Sequence, residues 1–249
     1  MLKEKRFEVI LGSLQTKDMV TYEEMASELN VSNDTVRRDI EHLHNSGLLS
    51  KVRGGAIPRA MNPLSFQDRQ SYLRKEKDTI ALKAQQLIKS GMTIFMDGGT
   101  TMCAIASLFP RDIILTVVTN NYALIDILAT YKNVYVIVLG GNYNRHLQIF
   151  YGTQTCTAAD NFNVELYFMG TCGLDAKFGV STIYQEDAQV KRVMLRSART
   201  VVALANRDSL RKMSTYKICD PGGIDVLITD LNSDHHALND YREWGIQIL

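Results

Sequence analysis

Cysteine is scarce in this chain of 249 residues: Cys103, Cys156, Cys172 and Cys219 lie far apart. No Cys-x-x-Cys pair occurs and no histidine stands near one at metal-ligand spacing. A metal ribbon and a disulfide framework are therefore not expected, and reduced thiols in a cytoplasmic protein are. Long apolar runs are missing too. None approaches the ~20 residues that span a bilayer, so no membrane partner is expected. The start, Met1-Leu2-Lys3-Glu4-Lys5-Arg6, leads into an amphipathic segment broken by Glu8 and makes a poor signal peptide. An excess of either charge is also absent, since 28 Lys+Arg against 27 Asp+Glu leave a net +1. What remains is 45% apolar and 22% charged, the composition of a globular chain with length for two domains.

Local charge says more than the total. Residues 1–60 hold nine basic positions (3, 5, 6, 17, 37, 38, 51, 53, 59) and nine acidic ones (4, 8, 18, 23, 24, 28, 34, 39, 41). The signs are segregated: Glu23, Glu24 and Glu28 cluster early, while Arg37, Arg38, Lys51, Arg53 and Arg59 gather later. Phe7, Ile10, Leu11 and Leu14 form one apolar stripe at helical spacing. Thr21-Tyr22-Glu23-Glu24 is a capping box that opens a second helix through about Leu29. Ser32 caps a third, whose apolar positions are Val36, Ile40 and Leu43, and Gly47 stops it. Two short strands then flank Arg53-Gly54-Gly55 as a basic hairpin. This is the layout of a winged helix-turn-helix over residues 1–57. Its DNA-facing set is expected to be Thr21, Ser32, Asn33, Thr35, Arg37, Arg38, Lys51 and Arg53, with the third helix in the major groove.

The run Arg6-x3-Ile10-x3-Leu14 followed by Ser32-x2-Thr35-Val36-Arg37-Arg38-Asp39-Ile40 resembles the helix-turn-helix signature of the DeoR family of bacterial transcriptional regulators. In that motif Arg6 and Asp39 read as structural or phosphate-positioning, because Asp39 facing the groove would repel phosphate.

Residues 58–74, with two prolines and little periodicity, read as a linker. From 75 to 249 short apolar runs alternate with amphipathic segments. The runs are 92–96, 114–118, 134–138, 166–169, 200–204 and 226–228, and the helices fall at 76–89, 101–109, 122–131, 186–198 and 234–243. Continuous apolar runs are the mark of buried parallel strands, so an α/β domain with a mostly parallel sheet is expected. Polar, small-residue loops follow four of the strands, where such sheets bind ligands. Asp97-Gly98-Gly99-Thr100-Thr101 opens a helix and offers backbone N–H groups and hydroxyls to an anion such as phosphate. Asn120-Asn121, Gly140-Gly141 and Gly170 with Cys172 are expected on the same crevice, with Glu186 and Lys191 from the next helix and Lys191 as the cation.

This half too resembles the DeoR-type sensor domain, similar in fold to ribose-5-phosphate isomerase and glucosamine-6-phosphate deaminase. The matching pieces are Asp97-x-Gly99-Thr100-Thr101, Thr119-Asn120, Gly140-Gly141, Gly152, Gly170-x-x-Gly173 and Glu186-x4-Lys191. The resemblance implies a regulator, most simply a repressor of a carbohydrate operon, acting as a homodimer or higher oligomer on double-stranded operator DNA. A phosphorylated sugar or related anionic metabolite would set its affinity, with no cofactor and no metal. Two departures stand out: Cys172 replaces the family's acidic residue, and Asn206-Arg207-Asp208-Ser209-Leu210 replaces a lysine-bearing segment, where Arg207 or Arg211 could restore the charge. They motivate an alternative, a regulator with a degenerate ligand site acting through protein contacts. An isomerase or deaminase is the remaining alternative, and the expectation is that the chain is not an enzyme.

Overall fold

The computed structural model describes residues 2–45, 48–58 and 66–249, with the side chains of all but 15, 45, 68 and 71 among them. The expected helix stop at Gly47 and the basic position Arg59 lie outside the described residues. Two compact units divide at Arg74/Lys75.

In the first unit α1 (Lys3–Thr16), α2 (Tyr22–Leu29) and α3 (Asn33–Asn45) surround a small core, and β1 (Val20–Thr21), β2 (Leu49–Val52) and β3 (Gly55–Pro58) form the wing. The wing is antiparallel in the order β1-β3-β2. Ile10, Met25, Val36, Ile40, Leu43 and Leu49 are completely buried, so the apolar spacing seen in the sequence marks the inward faces. The stretch read as linker holds a short helix, α4 (Phe66–Ser71). Its single apolar residue at the helix start gave no periodic stripe to detect.

The second unit opens with α5 (Arg74–Ala84), continued as a 3-10 turn over Gln85–Leu87. Then come β4 (Thr93–Met96), α6 (Thr100–Ser107), β5 (Leu115–Thr119), α7 (Leu124–Leu128), β6 (Val134–Val138), the hairpin β7 (Asn142–Asn144) and β8 (Ile149–Tyr151), and α8 (Thr153–Asp160). After these follow β9 (Val164–Gly170), β10 (Gly173–Asp175), β11 (Gly179–Thr182), α9 (Gln185–Arg196), β12 (Ala198–Leu204), β13 (Tyr216–Cys219), β14 (Val226–Ile228), α10 (Asn239–Arg242) and β15 (Gln247–Ile248). Seven of these strands make one sheet in the order β15-β14-β12-β9-β4-β5-β6, every neighbouring pair parallel. Both faces are covered: Phe95, Val118, Tyr167 and Ala203 are buried, and so are their neighbours Ile94, Val117, Phe168 and Val202. That is why the strands carry continuous apolar runs instead of alternating ones. β10, β11 and β13 form a separate antiparallel sheet.

The expected helix at 122–131 is confined to α7, and the one at 234–243 becomes a 3-10 turn (His236–Leu238) leading into α10. Gly245, at φ +70, stands just past α10. α8 was not expected: its sequence Thr-Gln-Thr-Cys-Thr-Ala-Ala-Asp has no large apolar residue to repeat, and it buries only Thr155 and Ala159. Among the described residues no helix is long and apolar enough to cross a membrane.

Strand order places the functional geometry. From β4 the chain runs outward through β5 and β6, then returns to β9 on the other side of β4. The β4/β9 boundary is therefore a topological switch point, where the loops at the carboxyl ends diverge and leave a crevice.

Candidate nucleic-acid interface and effector crevice

Two caps build the recognition surface. Thr21 Oγ1 accepts from the Glu24 N–H at 3.1 Å while Glu24 Oε2 accepts from the Thr21 N–H at 2.9 Å. Asn30, at φ +53, turns the chain after α2, and Ser32 Oγ accepts from the Thr35 N–H at 3.2 Å. The hydroxyls of Thr21 and Ser32 are thus engaged in starting helices. Arg6 anchors the angle of α3: its Nε and Nη2 donate to the two carboxylate oxygens of Asp39 at 2.6 and 3.0 Å. The side chains are 13% and 4% exposed, and the pair turns the Asp39 charge inward.

The exposed cations divide by their neighbours. Arg38 pairs with Asp34 one turn earlier. Lys51 of the wing pairs with Glu41 of α3; that hydrogen bond holds the Glu41 carboxyl below its ordinary range and raises the Lys51 ammonium. Arg37 lies over the Tyr22 ring, 5.5 Å from its centroid. A concavity of about 570 Å³ between α3 and the wing is bordered by Tyr22, Arg37, Glu41, Lys51 and Arg53. Asn33 is exposed and Thr35 half-buried on the first turn of α3. His42 stacks on Phe7 with centroids 5.3 Å apart.

In the second unit, Asp97 is wholly buried at the end of β4. Its carboxylate accepts from Tyr167 Oη at 2.7 Å, from the Gly170 N–H at 3.1 Å and from Lys191 Nζ. Lys191, 2% exposed, also lies 3.6 Å from Asp187, one helical turn before it. Burial pushes Asp97 up to about 6, against the pull of Lys191. Burial alone would lower Lys191, but Asp187 and Asp97 outweigh it and the net direction is upward. Thr182 Oγ1 donates to Asp187 at 3.0 Å and lies 3.5 Å from the exposed Cys172 Sγ.

Asn121 Nδ2 donates to the carbonyls of Asp97 and Gly99, both at 3.1 Å, tying the β5 loop to the β4 loop. Asn120 Nδ2 donates to the Phe150 carbonyl at 2.9 Å. Among the described residues its Oδ1 is buried without a hydrogen-bond partner. α6 starts at Gly99, which is at φ +133 and provides no side-chain cap. A Cβ at Gly99 or Gly140 would meet open space, whereas at Gly98 it would strike Ile149 and at Gly141 Thr155 and Tyr151. So Gly98 and Gly141 serve close packing, and Gly99 and Gly140 border open space.

The structure therefore joins Asp97, Gly170, Asn121 and Lys191 directly. It does not join Glu186 to them: that carboxylate accepts from Asn144 Nδ2 of the hairpin at 3.2 Å. Gly140 is held instead by Thr155 Oγ1 at 2.7 Å. Thr101 is half-buried on the first turn of α6. Lys191 does not stand as a bare cation, because two carboxylates flank it. Arg207 pairs with Glu76 and Asp230 and Arg211 with Asp240, so neither is aimed at the crevice as a replacement charge. Sequence reasoning missed Asp187, Tyr167 and Tyr22. Asp187 had a signal, the i,i+4 spacing to Lys191; the other two had none.

Comparison with known proteins agrees with both halves. Residues 6–59 match the family described as DeoR-like helix-turn-helix domain, and residues 73–231 match the DeoR C terminal sensor domain. The chain is 32% identical to the HTH-type transcriptional repressor GlcR of Bacillus subtilis, over 92% of this chain and 89% of that one. It is 26% identical to a putative aga operon transcriptional repressor of Escherichia coli O157:H7 (98% and 93%). It is 29% identical to the L-fucose operon activator of Haemophilus influenzae (90% and 91%). Among solved structures, the tetrameric eIF2B-beta2-delta2 complex from C. thermophilum aligns over 98% of this chain and 95% of that one, at 13% identity and a TM-score of 0.51, a likeness of fold alone. With both of its halves matched and a relative at 32% identity along nearly its whole length, the chain belongs to the DeoR family of transcriptional regulators.

Proposed function

We propose that this chain represses a carbohydrate operon and that a phosphorylated sugar or related polyol sets its affinity for operator DNA. The observation that carries the ligand class is the buried Asn120 Oδ1, which finds no donor among the described residues. Buried polar atoms are nearly always satisfied, and an acceptor calls for an O–H or N–H donor such as a sugar hydroxyl, which an ionised phosphate lacks. The start of α6, which has no side-chain cap and whose Gly99 carbonyl is tied to the neighbouring Asn121, offers a positive dipole end for an anion. A hydroxyl and a phosphate on one molecule answer both. Asp97, Asp187 and Lys191 together carry a formal charge of −1, so the anion is met by the α6 backbone, and Lys191 acts as a positioning residue that holds Asp97 in place. Of the named relatives one is a transcriptional repressor, one a putative repressor of the aga operon and one the activator of an L-fucose operon. The last supports the carbohydrate reading, and together they support it more than the sign.

Such a ligand changes DNA affinity only by binding one conformation better than another. Action as a homodimer on paired half-sites is part of the proposal. The alternative without a ligand rests on Cys172 and the rerouted Arg207. Isomerase chemistry would need a carboxylate facing the substrate, whereas Asp97 is engaged by Lys191, Tyr167 and Gly170 and Glu186 by Asn144. Thermal unfolding of the full chain with a panel of hexose and pentose phosphates, and with inorganic phosphate, tests the proposal. Saturation at about a hundred times Kd adds roughly 2.7 kcal/mol. One sugar phosphate should stabilise more than inorganic phosphate, and Asn120→Ala should remove the difference. No stabilisation by any of them leaves the ligand-free alternative standing.

A further inference from the structure

We infer that Arg37 is the base-reading cation of the recognition helix, and that Tyr22 and the Glu41–Lys51 pair are the devices that keep it available. The inference rests on the DNA-binding reading above. On α3 each arginine has an acidic residue four positions away: Asp34 for Arg38 and Glu41 for Arg37. Arg38 takes its partner. Arg37 does not, because Lys51 reaches across from β2 and occupies Glu41. Among the described residues no hydrogen bond or ion pair holds Arg37; its contact is the Tyr22 ring. A guanidinium held over a ring, 5.5 Å from its centroid, gives up no N–H to an ion pair, so its N–H fork stays available to a base edge. That fork is what pairs bidentately with guanine O6 and N7. The side chain thus loses less freedom on binding a base edge than an unsupported arginine would. The Tyr22 backbone N–H donates to the Gly54 carbonyl at 3.0 Å and its ring packs, partly buried, against the core of the first unit. Tyr22→Phe, which keeps the ring, is therefore the control that separates loss of the contact with Arg37 from loss of packing.

The test takes the full chain and a duplex that the wild type selects from a randomised library, with a shuffled duplex of equal length as control. Equilibrium binding to both is measured by fluorescence anisotropy at two salt concentrations, and the readout is the ratio of the two affinities. Arg37→Ala should cut that ratio about 10- to 100-fold, the scale of one bidentate base contact. Arg38→Ala should weaken both duplexes alike and lower the salt slope by about 1. Tyr22→Ala should cut the ratio about 2- to 5-fold, the scale of an exposed cation–π contact, and Tyr22→Phe should restore it. Lys51→Met should also lower the ratio by freeing Glu41 for Arg37, and Glu41→Gln in the same chain should recover it. Equal losses on both duplexes for Tyr22→Ala, failure of Tyr22→Phe to restore, or no recovery by Glu41→Gln overturns the inference while leaving DNA binding intact. No binding of any duplex by the wild type overturns the DNA-binding reading and this inference with it.

Discussion

The charges of the recognition surface and of the crevice obey opposite rules. On the recognition surface the paired side chains are open to water, 79% and 63% exposed for Arg38–Asp34, 33% and 46% for Lys51–Glu41. In the crevice Lys191 and Asp97 are 3% and 1% exposed. An exposed pair is worth at most about 1 kcal/mol and is screened by salt, so a DNA phosphate can take over one partner at little cost. A buried pair resists exchange, because removing one member strands the other without water. The recognition surface keeps charges it can hand to a ligand, and the crevice, like the Arg6–Asp39 pair that anchors α3, keeps charges that hold a shape.

The largest expected effect tests that contrast directly. Lys191→Met leaves Asp97 and Asp187 buried without their cation and should destabilise the second unit by roughly 3–5 kcal/mol, read from urea unfolding. A loss below 1 kcal/mol would put this pair in the same class as the surface ones. Next, Gly141→Ala drives a Cβ to 2.3 Å from Thr155 Oγ1 at φ +142 and should cost about 1–3 kcal/mol, while Gly140→Ala, facing open space, should cost under about 1 kcal/mol. Equal costs would show that the loop relaxes freely.

A pH effect of similar or smaller size follows from Asp97. Its carboxyl is raised from 3.8 to about 6, so between those values the folded chain binds a proton that the unfolded chain has released. Stability from this group is therefore full below pH 4 and is lost as pH rises through 6, by on the order of 1–3 kcal/mol. Unfolding midpoints of the wild type minus those of Asp97→Asn between pH 4 and 7 should fall with pH, and a rise would reverse the assignment. The smallest effect belongs to Asp34→Ala with Arg38→Ala: each should change the stability of the first unit by no more than about 0.5 kcal/mol. A change several times larger would erase the distinction between the two surfaces.

Legibility in the sequence followed the range of the interactions. Thr21 with Glu24 and Ser32 with Thr35 are contacts three residues apart, so the caps could be read directly, as could the apolar runs that became β4, β5, β6, β9, β12 and β14. The cradle loops were placed correctly after strands because strand ends are local. Their wiring was not legible. Tyr167 meets Asp97 70 positions away, and Lys191 meets it 94 away, through a strand order that no local pattern encodes. Lys191 reads as a free cation in the sequence because Asp97, one of the two carboxylates that flank it, lies 94 positions away, even though Asp187 stands at i,i+4 spacing. Tyr22 was read only as a member of a capping box, and its ring reaches Arg37 because α2 packs on α3. The β7–β8 hairpin escaped notice because each of its strands is only three residues long, and α8 because it has no large apolar residue to repeat.

The strand order also sets a timetable for synthesis. The wing is complete by Pro58, and everything the first unit's core needs has by then been made. The crevice lacks Tyr167, Gly170 and Lys191 until the ribosome has added 133 more residues, 191 less 58, roughly 7–27 s at ordinary elongation rates. A growing or prematurely ended chain thus carries a finished recognition helix with no ligand site to govern it.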